Sequence, residues 1–173
     1  MRKSIFAIVN TQYQAETLVA DLKTNGFSTN EISILFPDRT GSRDFIHTQS
    51  TKAPEGAMVG GSAGAMLGGA LGLLAGIGVL ALPGVGPLIA AGPILAALSG
   101  VAVGGTVGGV SGALLGMGIP EIEARQYEGK VKEGNILVSA HCDSNAACER
   151  ARRIFKADGA TDISRIAEAK LPR

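Results

Sequence analysis

Apolar positions change their spacing three times along the chain. "SIFAIVN" is a short, nearly continuous apolar run with β-branched residues, which predicts a strand. Ala15, Leu18, Val19 and Leu22 then recur at helical spacing. Thr11 with Gln14 makes a capping box at that helix's start, and Gly26 stands where a left-handed stop belongs. "EISILFP" reads as a second strand, closed by Pro37. The far end repeats the scheme. "NILVSAHC" is a strand, Asp143 or Ser144 caps a helix with Ala147, Ala151, Ile154 and Phe155 on one face, Gly159 ends it, and "TDISRIAEA" is a closing strand. The phrases "LKTNGFSTNEISIL" and "FKADGATDISRI" are similar enough to read as one βαβ unit used twice.

The middle of the chain follows another rule. About 65 residues, 56–120, contain no Asp, Glu, Lys, Arg or His. Glycine falls there in strict i+4 register: Gly56, Gly60, Gly64, Gly68, Gly72 and Gly76, then Gly100, Gly104, Gly108, Gly112 and Gly116. Glycine costs a helix interior about 1 kcal/mol relative to alanine, so its register calls for a compensating contact. Spaced by four, the glycines line one face and let another helix backbone approach closely. "LPGVGPLIAAGP" interrupts the run with three prolines. The expectation is therefore a helix over 56–81, a turn or re-entrant element over 82–92 and a helix over 93–118. At about 1.5 Å per residue each helix could cross a ~30 Å hydrocarbon core. A linker is the weaker reading, because flexible linkers are polar and Ser-rich. A glycine-zipper hairpin packed inside a water-soluble oligomer is a further alternative.

Four segments follow: 1–55, a first βαβ half with a polar loop; 56–119, a glycine-rich helical hairpin; 120–134, an amphipathic connecting helix with Glu121 and Glu123 in its first turn and Ile122, Tyr127 and Val131 as its stripe; and 135–173, a second βαβ half. The expected class is α+β, a split ferredoxin-like βαβ-βαβ domain carrying an inserted glycine-zipper hairpin.

Composition supports this division. The chain has 25 glycines, 4% aromatic residues and no Trp, unlike an ordinary soluble core. A net charge of +1 gives no footprint for nucleic acid. Arg39, Arg43 and Lys52 before the central run, with Arg125, Lys130 and Lys132 after it, place both termini in the cytoplasm by the positive-inside rule. The expected location is the bacterial inner membrane, with a cytoplasmic soluble assembly as the alternative.

Candidate chemistry is sparse. His141, Cys142, Asp143 and Cys148 lie close in sequence, but their spacing fits no strong zinc pattern, and a strand end, an N-cap and a buried thiol account for them. His47 stands alone in a polar loop. Asn10, Thr11 and Gln12 read as capping. Arg150, Arg152 and Arg153 read as a solvated face or a headgroup contact. No phosphate loop or Ser/His/Asp set is evident. The expectation is no catalytic, metal or cofactor site, no small-molecule substrate, and membrane lipid and further copies of the chain as partners.

In "GIPEIEARQYEGKVKEGNILVSAHCD", residues Ile119, Pro120, Glu121, Glu123, Ala124, Tyr127, Glu128, Lys132 and Gly134 match a stretch found after the hydrophobic centre of another group of proteins. The chain thereby resembles bacterial general-stress or low-temperature-induced small membrane proteins with a Gly-rich centre. The resemblance implies a stress-linked membrane or envelope protein and supplies no catalytic residues. A weaker similarity is to a two-span accessory subunit of quinol-oxidising complexes. A small-molecule sensor on the ferredoxin-like domain completes the alternatives.

Overall fold

A computed structural model describes residues 3–37, 78–82, 86–104 and 109–167. Strand β1 (Lys3–Val9) leads through α1 (Gln12–Thr24) and a short 3-10 turn (Thr29–Glu31) into β2 (Ile32–Pro37). Then come β3 (Gly78–Leu82), β4 (Gly86–Ala91), α2 (Pro93–Gly104), α3 (Val110–Gly116), α4 (Glu121–Lys132), β5 (Ile136–Cys142), α5 (Asn145–Ala157) and β6 (Thr161–Ala167). The protein is α+β. Among the described residues six strands form one sheet in the order β3-β4-β2-β5-β1-β6, with antiparallel neighbours throughout.

The flanking helices start and stop as their sequences require. The Thr11 hydroxyl accepts from the Gln14 N–H at 3.2 Å, while the Gln14 side chain accepts from the Asn10 N–H at 3.1 Å. Ser144, rather than Asp143, caps α5 by accepting from the Ala147 N–H at 3.1 Å. Gly26 takes φ +91° just past α1, a conformation that favours glycine.

Both faces of the sheet are buried, which explains why β1 reads as a continuous apolar run rather than an alternating one. On the first face Ile5, Ala7, Val9, Ile32, Ile34 and Val138 pack under Leu18, Leu22, Ala151 and Phe155 of α1 and α5. On the second face Phe6, Ile8, Leu35, Leu88, Ala90 and Leu137 meet Ile94 and Leu98 of α2, Val110, Ala113 and Leu114 of α3, and Ala124, Tyr127 and Val131 of α4. The central segment thus supplies the cover of the second face.

That arrangement corrects the expected hairpin. Residues 78–81, expected as the end of a helix, are in β3, and the expected turn over 82–92 contains β4, which adds to β2. The helix expected over 93–118 is instead a 12-residue α2 and a 7-residue α3. Gly109, at φ +111°, stands as the N-cap of α3. Among the described residues no helix is long and apolar enough to cross a membrane. The connecting helix over 120–134 exists, yet it lies on the sheet. Its buried stripe is Ala124, Tyr127 and Val131, whereas Ile122 is 83% exposed. The rest of the first expected helix (56–77), most of the polar loop before it and His47 lie outside the described residues.

Candidate functional site

The candidate residues of the sequence are the registered glycines of the central run, four of which fall on the helices of the second-face layer. Of the glycines in register, Gly56, Gly60, Gly64, Gly68, Gly72, Gly76 and Gly108 lie outside the described residues. Gly100 and Gly104 are in α2, and Gly112 and Gly116 in α3. These four do not share one straight helix face, because α2 and α3 are separate helices. A β-carbon added at Gly116 would meet nothing within 4 Å among the described residues, so this glycine serves no close contact with them.

Close approach occurs at glycines outside the register. A β-carbon on Gly78 of β3 would lie 2.8 Å from Cδ1 of Leu95 on α2. One on Gly92, where φ is +78°, would lie 2.2 Å from the backbone oxygen of Ile32. Gly92 turns the chain from β4 into α2, and Ser33 Oγ then accepts from the Ile94 N–H at 3.2 Å, satisfying a backbone donor at the start of the helix. The turn at Gly92 and the cap from Ser33 together seat α2 on the sheet.

Glu128 of α4 fixes α3. Its side chain is 14% exposed; Oε2 accepts from the Ser111 N–H at 2.8 Å, and Oε1 lies 2.8 Å from Lys132 Nζ. Burial pushes the Glu128 pKa up, but hydrogen bonds from Lys132 and Ser111 outweigh it and hold the group below its ordinary value. A carboxyl with a lowered folded-state pKa adds stability above its unfolded pKa and loses it as pH falls through the folded value. Glu128→Gln is therefore expected to cost about 1 kcal/mol at neutral pH and to make the acid limb of a stability-versus-pH curve shallower, as read by urea melts from pH 7 down to 3.

Tyr127, Gln126 and Lys130 tie α4 to β6. Tyr127 donates to the Asp162 carbonyl at 2.8 Å, Gln126 donates to its Oδ1 at 3.2 Å, and Lys130 Nζ lies 3.3 Å from its Oδ2. These bonds fix Asp162 at φ +51°, a left-handed backbone that Asp tolerates better than most residues. Ser164 Oγ donates to Glu123 Oε2 at 2.5 Å. Burial raises the Tyr127 pKa, so the phenol stays a neutral donor.

A row of small polar residues crosses the same face. Ser33 stands opposite Ser139, which stands opposite Phe6, which stands opposite Ser164. In the next row Ser4 Oγ lies 2.9 Å from His141 Nδ1. Ser4, Ser33 and Ser139 are all fully buried. Strand parity was the signal that could have found this row, since each residue sits one step from a first-face apolar position.

Of the tempting group at the end of β5, Cys142 and Cys148 are buried free thiols of the first-face core, His141 is in the second-face row and Asp143 is exposed. Burial, followed by the neighbouring Cys148, raises the Cys142 pKa, which disfavours the thiolate. Among the described residues no three His, Cys, Asp or Glu converge as metal ligands would. Arg150 stacks on Phe27, 5.3 Å from the ring centre, while Arg152 and Arg153 are exposed. Comparison of the chain with family models, with curated proteins and with solved structures finds no match.

Proposed function

We propose that this is a non-enzymatic, self-associating protein built on a split ferredoxin-like domain. The domain reading is supported by the four strands outside the central segment. They run β6-β1-β5-β2, the interleaved order of two βαβ units in a βαββαβ chain, and the β3–β4 hairpin extends that sheet beyond β2.

One observation favours self-association over a lipid-spanning hairpin. Five apolar residues of α2 and α3 are used inside the chain, where Ile94, Leu98, Val110, Ala113 and Leu114 close the second face. Among the described residues, the glycine at the end of α3 faces open space. An exposed glycine suits the close approach of another copy's backbone, and the registered Gly60, Gly64, Gly68 and Gly72 lie outside the described residues. A stress-linked role is proposed from the resemblance of residues 118–143; a place in the bacterial inner membrane with both termini in the cytoplasm follows from the flanking Arg and Lys residues only where the central run spans lipid.

The test is cell fractionation followed by sedimentation with and without detergent, repeated with Gly64, Gly68, Gly104 and Gly108 replaced by leucine. A detergent-free oligomer that becomes smaller in the variant is expected. An unchanged oligomer would overturn the glycine contact, and recovery solely from membranes would return the segment to lipid.

A further inference from the structure

The two edges of the sheet are built differently, and the difference points to a contact. β6 is guarded in the ways natural edges are. It carries Asp162 and Arg165, its pairing with β1 shifts register between Phe6 and Ile8, and Arg165 is tied to Glu149 at 3.0 Å and to Asn145 at 2.7 Å. β3 has none of these devices. Its sequence, Gly-Val-Leu-Ala-Leu, is uncharged, and it pairs with β4 through five unbroken positions, Gly78↔Ala90 to Leu82↔Gly86.

The register shows which backbone groups face outward. Pro87 of β4 stands opposite Ala81, and a proline has no N–H to give to a ladder. Ala81↔Pro87 is then a non-hydrogen-bonded pair. By antiparallel alternation Val79↔Ile89 is another, so the N–H and C=O of Val79 and Ala81 point away from β4. Among the described residues nothing pairs with that side.

We infer that this edge is a self-association contact, in which β3 of one copy pairs antiparallel with β3 of a second about a two-fold axis at Leu80. That register sets Val79 against the partner copy's alanine at position 81, and the reverse, as two hydrogen-bonded pairs with four main-chain bonds. Leu80 meets its own counterpart in the closer, non-hydrogen-bonded pair. The edge complements itself because it brings no charge to the axis. Pairing β3 with another copy's β6 would place an uncharged strand against Asp162 and Arg165 and build an open, head-to-tail array instead of a closed dimer. The contact rests on the self-association reading and adds to it a surface independent of the glycine faces.

The experiment combines sedimentation of the full-length wild type without detergent with oxidative crosslinking of Leu80→Cys by copper–phenanthroline. The native thiols are buried, so the wild type serves as the uncrosslinked control. Conversion of most Leu80→Cys chains to a covalent dimer is expected. An assembled protein whose Leu80→Cys form gives no covalent dimer would overturn the edge contact and leave self-association standing, whereas a monomeric wild type would overturn both. Should Leu80→Cys fail to fold, Val79→Pro decides. It removes two of the four bonds and leaves the β4 ladder intact, so dimerisation should weaken at least about tenfold; an unchanged dissociation constant would contradict the pairing.

Discussion

Gly92→Ala is expected to unfold the protein or to cost it about 3 kcal/mol or more, read as a shift in the urea midpoint. Two effects add. The residue sits at φ +78°, where a side chain costs about 1 kcal/mol or more. Its β-carbon would also stand 2.2 Å from the Ile32 backbone oxygen and 3.0 Å from Ser33 Cα. Those atoms belong to β2, a strand paired on both sides, so they cannot give way as the end of a flexible side chain would. Gly26 separates the two effects. It has φ +91° with nothing within 4 Å of an added β-carbon, and Gly26→Ala should cost only the conformational part, about 1 kcal/mol. Equal losses at the two sites would show that no close approach exists at Gly92.

The second large effect is Leu98→Ala, expected to cost about 3 kcal/mol in detergent-free buffer. Leu98 of α2 is fully buried within the second-face cluster, and removing a buried leucine typically costs 2–5 kcal/mol through lost transfer energy and the cavity left behind. Leu115 of α3 is 37% exposed, and Leu115→Ala should stay within about 0.5 kcal/mol. A lipid-facing helix over 93–118 gives no reason for two leucines in an uncharged run to differ so widely. The contrast therefore tests what the central segment is packed against.

The flanks of the chain were largely legible because local signals there agree with one another. Thr11, Ser144, Gly26 and Gly159 mark helix ends by side-chain bonds or left-handed backbone, and the runs between them have the length of strands and helices. The centre was legible in composition and not in destination. An uncharged, glycine-rich run is what a membrane span needs, and it is equally what the cover of a sheet's second face needs, since Phe6, Leu35 and Leu137 demand apolar partners as strictly as lipid does. Periodicity describes the face of a helix and not what lies against it. The i+4 glycines also continued past the break after α2, so spacing alone ran two helices together.

The small residues that decide the packing were missed for a related reason. Gly78 and Gly92 matter through single close contacts across the sequence, with Leu95 and with Ile32 and Ser33, and no pattern in their own neighbourhoods announces them. Glu128 matched the stress-protein stretch by identity alone; its bond to Ser111 joins two helices and needs the fold to be seen. Ile122 was misassigned because its spacing to Tyr127 and Val131 suggested a stripe, whereas Ala124 occupies the buried position.

The central claim is that α2 and α3 cover the second face of the sheet through Ile94, Leu98, Val110, Ala113 and Leu114, and engineered crosslinking of α2 to β2 tests it most directly. Ser33 Oγ lies 3.2 Å from the Ile94 backbone nitrogen, which makes the two residues neighbours across the contact of α2 with β2. Ser33→Cys combined with Ile94→Cys, oxidised without detergent and digested, should yield an intramolecular peptide pair joined at positions 33 and 94 by mass spectrometry. A protein that keeps its native far-UV circular dichroism yet gives no such pair would place α2 away from the sheet and contradict the account.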